Sequence, residues 1–209
     1  FLPEGKNMLV DEFGKDYGIY FSILTLIAQG KNTRSEIENT LNIKELSGYL
    51  KNLNEEYGLI SKMQPVYEKS SNKNVHYALN DQFLRFWFRF VYKYTHIIEA
   101  GGNEKLRAIA ERDFTTVSGK SLESYFNEML KESGAYTRLG YWHDRKGENE
   151  IDIIAEDELD NKIEFIEVKR QTKNFDENVL RAKSELFFKT VGTFKGYEVI
   201  YRGLSIEDM

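Results

Sequence analysis

Cysteine is absent from the 209-residue sequence, and proline occurs only twice. Without cysteine the chain has no disulfide bond and no thiolate metal site, which is typical of a reducing compartment, so we expect a cytoplasmic protein. No apolar run approaches the length of a membrane span, and no basic-then-apolar signal segment is present, so no membrane partner is expected.

An excess of positive charge is also missing, because 34 acidic residues outnumber 29 Lys and Arg and leave a net charge of −5. This balance argues against broad non-specific binding to nucleic acid, although a local basic groove stays open. Large apolar side chains are abundant, with 13 Tyr and 14 Phe. The length and this apolar content indicate a globular chain of one large or two small domains.

The first 80 residues predict a linker followed by a small helical domain. Residues 1–12 are interpreted as a linker from a preceding region, since the chain does not begin with Met. Over residues 13–80, apolar positions at three- and four-residue steps predict three helices, and Thr33 with Glu36 forms a capping box for the second. Two short extended runs around a polar turn at 69–74 follow. Three helices and a β-hairpin are the order of a winged helix-turn-helix domain.

Residues 81–117 are predicted to be a helical connector. Asn80 or Asp81 is in position to cap its first helix. That helix carries one wide aromatic stripe, which favours packing in a core or domain interface over ligand binding. The stripe comprises Phe83, Phe86, Trp87, Phe90, Val91 and Tyr94. Gly101 and Gly102 break the chain, and another helix is expected from about Glu104 to Val117.

From Ser118 to Met209 the pattern changes to helix, three strands, helix and strand. The first helix is expected in "SGKSLESYFNEMLKES" and the second in "FDENVLRAKSELFFKTV". The strands are expected in "AYTRLGYWHD", "NEIDIIAED", "KIEFIEVKR" and "YEVIYRG". The whole chain is therefore predicted to be α+β.

Charged residues occur in two of these strands although their neighbours are apolar. Because strand side chains alternate between faces, we expect Asp152 on one face and Ile151 and Ile153 on the other. In the next strand Glu167 and Lys169 share a face. Asp152 and Glu167 are 167 − 152 = 15 residues apart, a separation that lets a hairpin bring the two carboxylates side by side.

Two adjacent carboxylates repel, and a divalent cation such as Mg²⁺ relieves that repulsion with oxygen ligands. Such a cation polarises a phosphodiester and activates water, while Lys169 orients the water or stabilises the transition-state charge. The carbonyl of Val168 and the carboxylate of Glu123 could join the shell. The alternatives are a cross-strand ion pair for Glu167 and Lys169, and a favourable helix-dipole position for Glu123.

Asp152, followed by Glu167-Val168-Lys169 and preceded by a helical Glu123, resembles the pattern of the PD-(D/E)XK nuclease superfamily, which has a restriction-endonuclease-like αβββαβ core. The run "GYWHDRKGENEIDIIAED … EFIEVKR" is similar to the C-terminal nuclease-like domain of a family of archaeal-type ATPases. The segment "LSGYLKNLNEEYGLISKMQPV … YALNDQFLRFWFRFVY" resembles the winged helix and connecting helix of the same family. Together the resemblance covers nearly the whole chain.

The resemblance implies Asp152 and Glu167 as metal ligands, Glu123 as a third, Lys169 as catalytic, and Mg²⁺ or Mn²⁺ as cofactor. The proline of the eponymous motif is missing, since Glu150-Ile151 precedes Asp152. In that family a P-loop ATPase domain precedes these parts. The sequence has no G-x-x-x-x-G-K-[ST], so no nucleotide site is expected here and the ATPase domain is an expected partner.

Weaker signals bear on nucleic-acid contact. His143, Arg145 and Lys146 form a basic, aromatic-flanked loop that suits phosphate or base contact, with a plain loop as the alternative. Lys44 and Lys51 lie on the candidate recognition helix, but its acidic residues favour a protein contact at least equally: Glu45, Glu55 and Glu56. Glu150 and Lys183 are interpreted as solvated residues, with a place near the site as the alternative.

These observations support two functional hypotheses. The first is the C-terminal part of a multidomain ATPase that carries a metal-dependent nuclease acting on DNA or RNA. The second is a catalytically inactive nuclease fold that, with the winged helix, regulates the ATPase or binds a protein or DNA partner. The domain boundaries that follow are 1–12, 13–80, 81–117 and 118–209.

Overall fold

The computed structural model describes residues 2–67, 75–192 and 194–209. These residues form two compact units. Unit 1 holds residues 2–63 and 75–112, and unit 2 holds residues 64–67, 113–192 and 194–209. The predicted polar turn at 69–74 lies outside the described residues. Unit 1 is mainly helical and unit 2 is built on a sheet, so the predicted α+β class is confirmed.

Unit 1 consists of helices and one hairpin. The helices are α1 (Leu2–Phe13), α2 (Tyr17–Ala28), α3 (Arg34–Leu41), α4 (Ser47–Lys51, continuing helically through Asn52–Glu56), α5 (Gln82–Phe86, continuing through Trp87–Val91) and α6 (Thr95–Glu99). The hairpin pairs β1 (Ile60–Met63) with β2 (His76–Leu79) in antiparallel register. Thr33 and Glu36 form the predicted capping box of α3, and Asp81 caps α5 by accepting from the N–H of Leu84.

The N-terminal segment is helical rather than an irregular linker. Leu9 and Phe13 on α1 are buried, and the Phe13 ring packs 4.6 Å from that of Tyr20, measured between centroids. The sequence did not show this because the apolar positions of α1 are few. Burial stabilises α1 only when α2 covers these apolar side chains. That contact between two helices cannot be predicted from the sequence of α1 alone.

The aromatic stripe of α5 is partly buried. Trp87 and Phe88 lie in the core of unit 1, and Phe90 is also buried. Phe83 and Phe86 are 39% and 51% exposed, so they do not take part in the core. The helix widens at Trp87–Val91, which turns the later side chains relative to the first turn and separates the two sets.

Helix α7 runs without interruption from Asn103 to Glu132. The sequence analysis predicted two helices here, one ending at about Val117 and the next beginning at Ser118. Glycine inside a helix costs only about 1 kcal/mol relative to alanine, and α7 contains it. The chain passes from unit 1 to unit 2 within this helix.

Unit 2 has a four-stranded mixed sheet in the order β3-β4-β5-β6. Its strands are β3 (Arg138–His143), β4 (Glu150–Asp157), β5 (Lys162–Val168) and β6 (Glu198–Leu204). β3, β4 and β5 are antiparallel neighbours, and β6 pairs parallel to β5 after the crossover helix α8 (Glu177–Val191). The element order is the predicted helix, three strands, helix and strand.

Each face of the sheet is covered by one helix. α7 packs on one face through Leu122, Phe126 and Leu130, against Ile153 and Ile166 among others. α8 packs on the other through Leu180 and Phe187, in a cluster that includes Trp142, Ile154 and Phe165. β5 therefore has apolar side chains on both faces, which explains its nearly continuous burial.

Residues 64–67 also belong to unit 2, although they follow β1 in the sequence. The Val66 N–H donates to the carbonyl oxygen of Tyr141 at 2.8 Å, on the otherwise outer side of β3. The Tyr67 hydroxyl donates to buried Glu156 at 2.5 Å, and the Arg138 guanidinium lies 4.6 Å from the Tyr67 ring centre. The segment thus covers part of an edge strand.

Candidate functional site

Glu167, near the end of β5, is bound by two lysines. Its side chain is 10% exposed, and Lys169 Nζ lies 2.6 Å from Oε1. Lys183 Nζ, from α8, lies 3.0 Å from both carboxylate oxygens. The predicted proximity of Glu167 and Lys169 is present, and Lys183 adds a second ammonium group that the sequence left as a solvated residue.

Asp152 sits at an irregularity of β4. Gly140 pairs with Ile154 and Trp142 pairs with Ile151, so Tyr141 alone opposes both Asp152 and Ile153. This two-against-one arrangement is a β-bulge, which re-aims the side chains beside it. The strict alternation predicted for this strand is therefore wrong: Ile151 packs on the α8 side of the sheet and Ile153 on the α7 side.

The bulge places Asp152 among the other charged residues of the site. Its Oδ2 accepts a hydrogen bond from the Val168 N–H at 2.8 Å. Burial raises the pKa of Asp152, and the charges of Glu123 and Glu167 raise it further, to about 7. The Val168 N–H and the Lys169 ammonium oppose that rise without cancelling it. The groups around Asp152 therefore do not fully offset the electrostatic cost of ionising its carboxyl.

Glu123 lies on α7, close enough to Asp152 for its charge to raise the pKa of that carboxyl. Burial raises the pKa of the Glu123 carboxyl, against the opposing charge and hydrogen bond of Lys120. Lys120 Nζ lies 2.9 Å from Glu123 and 4.0 Å from Glu150, so this lysine bridges two acids at the exposed side of the site. Glu150 is exposed, which agrees with its interpretation as a solvated residue.

Lys169 interacts with all three predicted acidic residues. Burial opposes its charged form, but the hydrogen bond and charge of Glu167 outweigh burial, and Asp152 and Glu123 add to them, so the pKa of Lys169 is raised. Lys169 therefore remains an ammonium at neutral pH. A cation at this position can donate hydrogen bonds to an anion or to water, but it cannot act as a base.

The site contains hard oxygen donors, the type that Mg²⁺ and Mn²⁺ prefer. Among the residues that the structure describes, no three acidic or histidine side chains are arranged to hold a metal ion. The acids are instead matched by lysines: Lys120 with Glu123, and Lys169 and Lys183 with Glu167. Asp152 is the acidic member that has no direct ion pair in this set.

Of the residues predicted to contact nucleic acid here, Arg145 and Lys146 lie in the turn between β3 and β4, and His143 is the last residue of β3. The Asp144 carboxylate accepts from the N–H groups of Lys146 and Glu148, each at 3.0 Å, and shapes this turn. Arg145 and Lys146 are exposed there. His143 is half-buried and its Nδ1 lies 2.8 Å from the carbonyl oxygen of Asp144.

The two lysines predicted for a recognition helix belong to unit 1. Lys44 is exposed just before α4, and Lys51 is exposed in its last turn. Lys51 lies 3.9 Å from Glu55, which offsets its charge. Both lysines are therefore open to solvent, but residues 44–56 carry no excess of positive charge, since these two lysines stand beside three glutamates.

Sequence reasoning missed Lys120 as part of the site and gave Lys183 a place near it only as the alternative to a solvated residue. Lys183 on α8 reaches Glu167 on β5, whereas Lys120 pairs with Glu123 three residues further along α7 and lies 4.0 Å from Glu150 on β4. A signal did exist for Lys183. Leu180 and Phe187, three residues before and four after it, are apolar, so Lys183 shares the inward side of α8. Its charge at that position predicted an acidic partner on the sheet.

Comparison with known proteins gives a family of unassigned activity. Residues 87–181 match the family model described as archaea bacterial proteins of unknown function. The matched range includes Glu123, Asp152, Glu167 and Lys169. An uncharacterized protein of Methanocaldococcus jannaschii is 33% identical over 178 residues, which is 82% of this chain and 40% of the relative. The chain thus spans less than half of that relative's length.

No solved structure matches the chain. In the part of the chain that the structure describes, no helix is long and apolar enough to cross a membrane.

Proposed function

We propose that unit 2 is a metal-dependent phosphodiesterase of the PD-(D/E)XK type that acts on nucleic acid. The observation that carries the proposal is the position of Asp152, at a bulge and beside Glu167, with its pKa raised to about 7 by burial and by neighbouring acids. A bound cation would remove that electrostatic cost, because it interacts favourably with the ionised form of every acid around it.

Asp152 and Glu167 suit a magnesium ion as the protein ligands. Mg²⁺ keeps several waters and is commonly held by one or two carboxylates together with substrate phosphate, so the lack of a three-acid cluster is compatible with binding. Glu123 would act on the waters or as a third ligand. The cation, once bound, would polarise a phosphodiester and lower the pKa of water. Lys169, held as an ammonium, would donate to a phosphate oxygen or orient the attacking water.

The test is cleavage by the purified chain. Single-stranded DNA, duplex DNA and RNA are incubated with Mg²⁺ or Mn²⁺, and products are resolved on denaturing gels. We expect cleavage that requires the cation and that Asp152→Asn abolishes. Asp160→Asn is the matched control, because Asp160 is an exposed turn acid that pairs only peripherally with Lys162 at 3.4 Å. Equal cleavage by wild type and Asp152→Asn would contradict the assignment.

One observation favours a second function, that of a catalytically inactive module. Both oxygens of Glu167 already receive hydrogen bonds from ammonium groups. A site satisfied by lysines needs no metal, and the unit would then regulate an ATPase or bind a partner. Calorimetric titration with Mn²⁺ distinguishes the two functions. Absence of binding, unchanged by Glu167→Gln, would support the inactive module.

We further infer that unit 1 contains a winged helix and that the chain is part of an archaeal-type ATPase. The support is the order α2, α3, α4 and hairpin β1–β2, together with the resemblance of both units to one ATPase family. The Methanocaldococcus jannaschii relative is long enough to hold a further domain, since 60% of it is not covered by this chain (100 − 40). Co-purification of the chain with that relative's uncovered region would test this inference.

A further inference from the structure

Lys183 is more deeply placed in the site than a surface lysine. Its side chain is 19% exposed, against 35% for Lys169. The helix fixes it there: Leu180, Ser184 and Phe187 on the same side of α8 are at most 1% exposed. Because these residues pack against the sheet, the Lys183 side chain is also directed toward the sheet.

The geometry at Glu167 differs for the two lysines. Lys169 meets one oxygen, Oε1, whereas Lys183 is equidistant from both at 3.0 Å. An ammonium group placed between both oxygens occupies the region where a cation shared by the two oxygens would bind. Both ligands cannot occupy that region together, because each needs the same lone pairs and like charges repel at this distance.

We propose that Lys183 competes with the divalent cation for Glu167, so that cation binding must displace the lysine. This inference rests on the proposed function, and it assigns to Lys183 the regulation of cation binding at the same site. In the metal-free protein Lys183 neutralises Glu167 and keeps the buried carboxylate paired, which avoids the cost of an isolated charge. The same contact lowers the affinity of the site for cations.

The displaced ammonium group needs a new anionic partner. The Lys183 side chain is only 19% exposed, so water alone would compensate the displaced ammonium group incompletely. A phosphate oxygen of a nucleic acid bound at the cation would serve, since charge-assisted hydrogen bonds to phosphate are strong. Because of Lys183, the cation would bind more tightly together with a nucleic-acid substrate than it binds alone.

The experiment measures Mn²⁺ affinity of the full chain by calorimetry, without nucleic acid. Lys183→Met removes the competing charge and keeps an apolar stem, so Mn²⁺ is expected to bind about tenfold more tightly than to wild type, the size of one charge-assisted hydrogen bond. Lys183→Arg keeps a cation and should bind Mn²⁺ no more tightly than wild type. Lys189→Met, an exposed lysine on the same helix, should leave the affinity unchanged.

Circular dichroism confirms that each variant is folded, and Lys183→Gln replaces Lys183→Met should the latter fail to fold. Equal or weaker Mn²⁺ binding by the uncharged variant overturns the inference and leaves the proposed function intact. Binding by the variant but not by wild type supports the inference. Binding by neither protein removes the proposed function and the inference with it.

Discussion

At the scale of single residues, Asp152 links the stability of unit 2 to pH. Its folded pKa of about 7 lies above the ordinary value of 3.8, so the folded protein holds a proton that the unfolded chain has lost. The contribution of Asp152 to stability is therefore largest below about pH 4, falls as the pH rises toward 7, and then stays level. A bound cation would reverse this trend, because it favours the ionised carboxylate.

We expect Asp152→Asn to stabilise the metal-free protein by about 1–3 kcal/mol at pH 8 and to have little effect near pH 4. The amide oxygen of Asn can still accept from the Val168 N–H, so the hydrogen bond is kept. Urea unfolding of both proteins in EDTA, from pH 4 to 8, gives the difference directly. Parallel pH profiles for wild type and variant would show that Asp152 is not the titrating group.

Glu164 is a second residue whose role the structure assigns. It accepts from the Tyr136 hydroxyl at 2.9 Å and pairs with Arg202 at 3.3 Å, across two neighbouring elements. Burial, followed by the hydrogen bond and charge of Glu164, raises the pKa of Tyr136 to about 12. Glu164 thus serves the α7 face of the sheet and not the site on β5.

We expect Glu164→Ala to destabilise the protein by about 1–3 kcal/mol, because it leaves a half-buried hydroxyl and guanidinium without their acceptor. Glu185→Ala, an exposed glutamate on α8, is the control and should change stability by less than about 0.5 kcal/mol. Urea midpoints measure both. Cation affinity should be unchanged in Glu164→Ala, and a loss of cation binding there would mean that this pair supports the site.

The residues of the site were predictable to different degrees for a physical reason. Glu167 and Lys169 followed from strand periodicity, because alternation places side chains on a face without any knowledge of packing, whereas the proximity of Asp152 to Glu167 followed from their hairpin separation. The bulge at Asp152 did not follow, since it depends on the register between two strands. The contact of Lys183 with Glu167 required the position of α8 on the sheet, which is a tertiary property, whereas the pairing of Lys120 with Glu123 is a contact between neighbouring turns of one helix.

At the scale of elements, β6 depends on a glycine beside the site. Gly203 pairs with Glu167 across β5 and β6. A methyl group added at Gly203 would lie 2.5 Å from the ring of Phe175, so the ring needs the space that glycine leaves. Gly119, inside α7, has no atom within 4 Å of such a methyl group. The two glycines therefore predict opposite outcomes for the same substitution.

We expect Gly203→Ala to destabilise the protein by about 1–3 kcal/mol through overpacking against Phe175. Gly119→Ala should stabilise it by about 0.5–1 kcal/mol, because alanine restricts the unfolded chain and favours the helix. Thermal unfolding of the two variants beside wild type measures both effects. A stabilising Gly203→Ala would mean that Phe175 moves aside freely.

Elements with a regular pattern were predicted closely, and those that depend on distant contacts were not. The strands β4 and β5 and the helix α8 fall within the predicted stretches, because each has a periodic apolar face. Residues 64–67 were assigned to the hairpin region by sequence order, yet their hydrogen bonds are with unit 2. The order of residues in the chain cannot reveal these hydrogen bonds, since the partners Tyr141 and Glu156 are more than 70 residues away.

At the scale of the whole molecule, a net charge of −5 must be reconciled with a nucleic-acid substrate. Long-range attraction is unfavourable, so binding has to come from local groups near the site. Unit 1 offers Lys44 and Lys51, of which the second is offset by Glu55. Unit 2 offers Arg145 and Lys146, exposed in the turn that begins beyond β3 and returns to Glu150 at the start of β4.

We therefore expect Arg145→Glu with Lys146→Glu to weaken oligonucleotide binding by about tenfold at low salt, and by much less at 0.5 M salt, because each lost phosphate contact also removes its counterion release. Lys44→Glu with Lys51→Glu changes the net charge equally, so it controls for total charge, and we expect an effect below about twofold. Fluorescence anisotropy with Ca²⁺ in place of Mg²⁺ measures both pairs. Equal losses would attribute binding to overall charge, and a larger loss from the pair in unit 1 would make the winged helix the nucleic-acid-binding element.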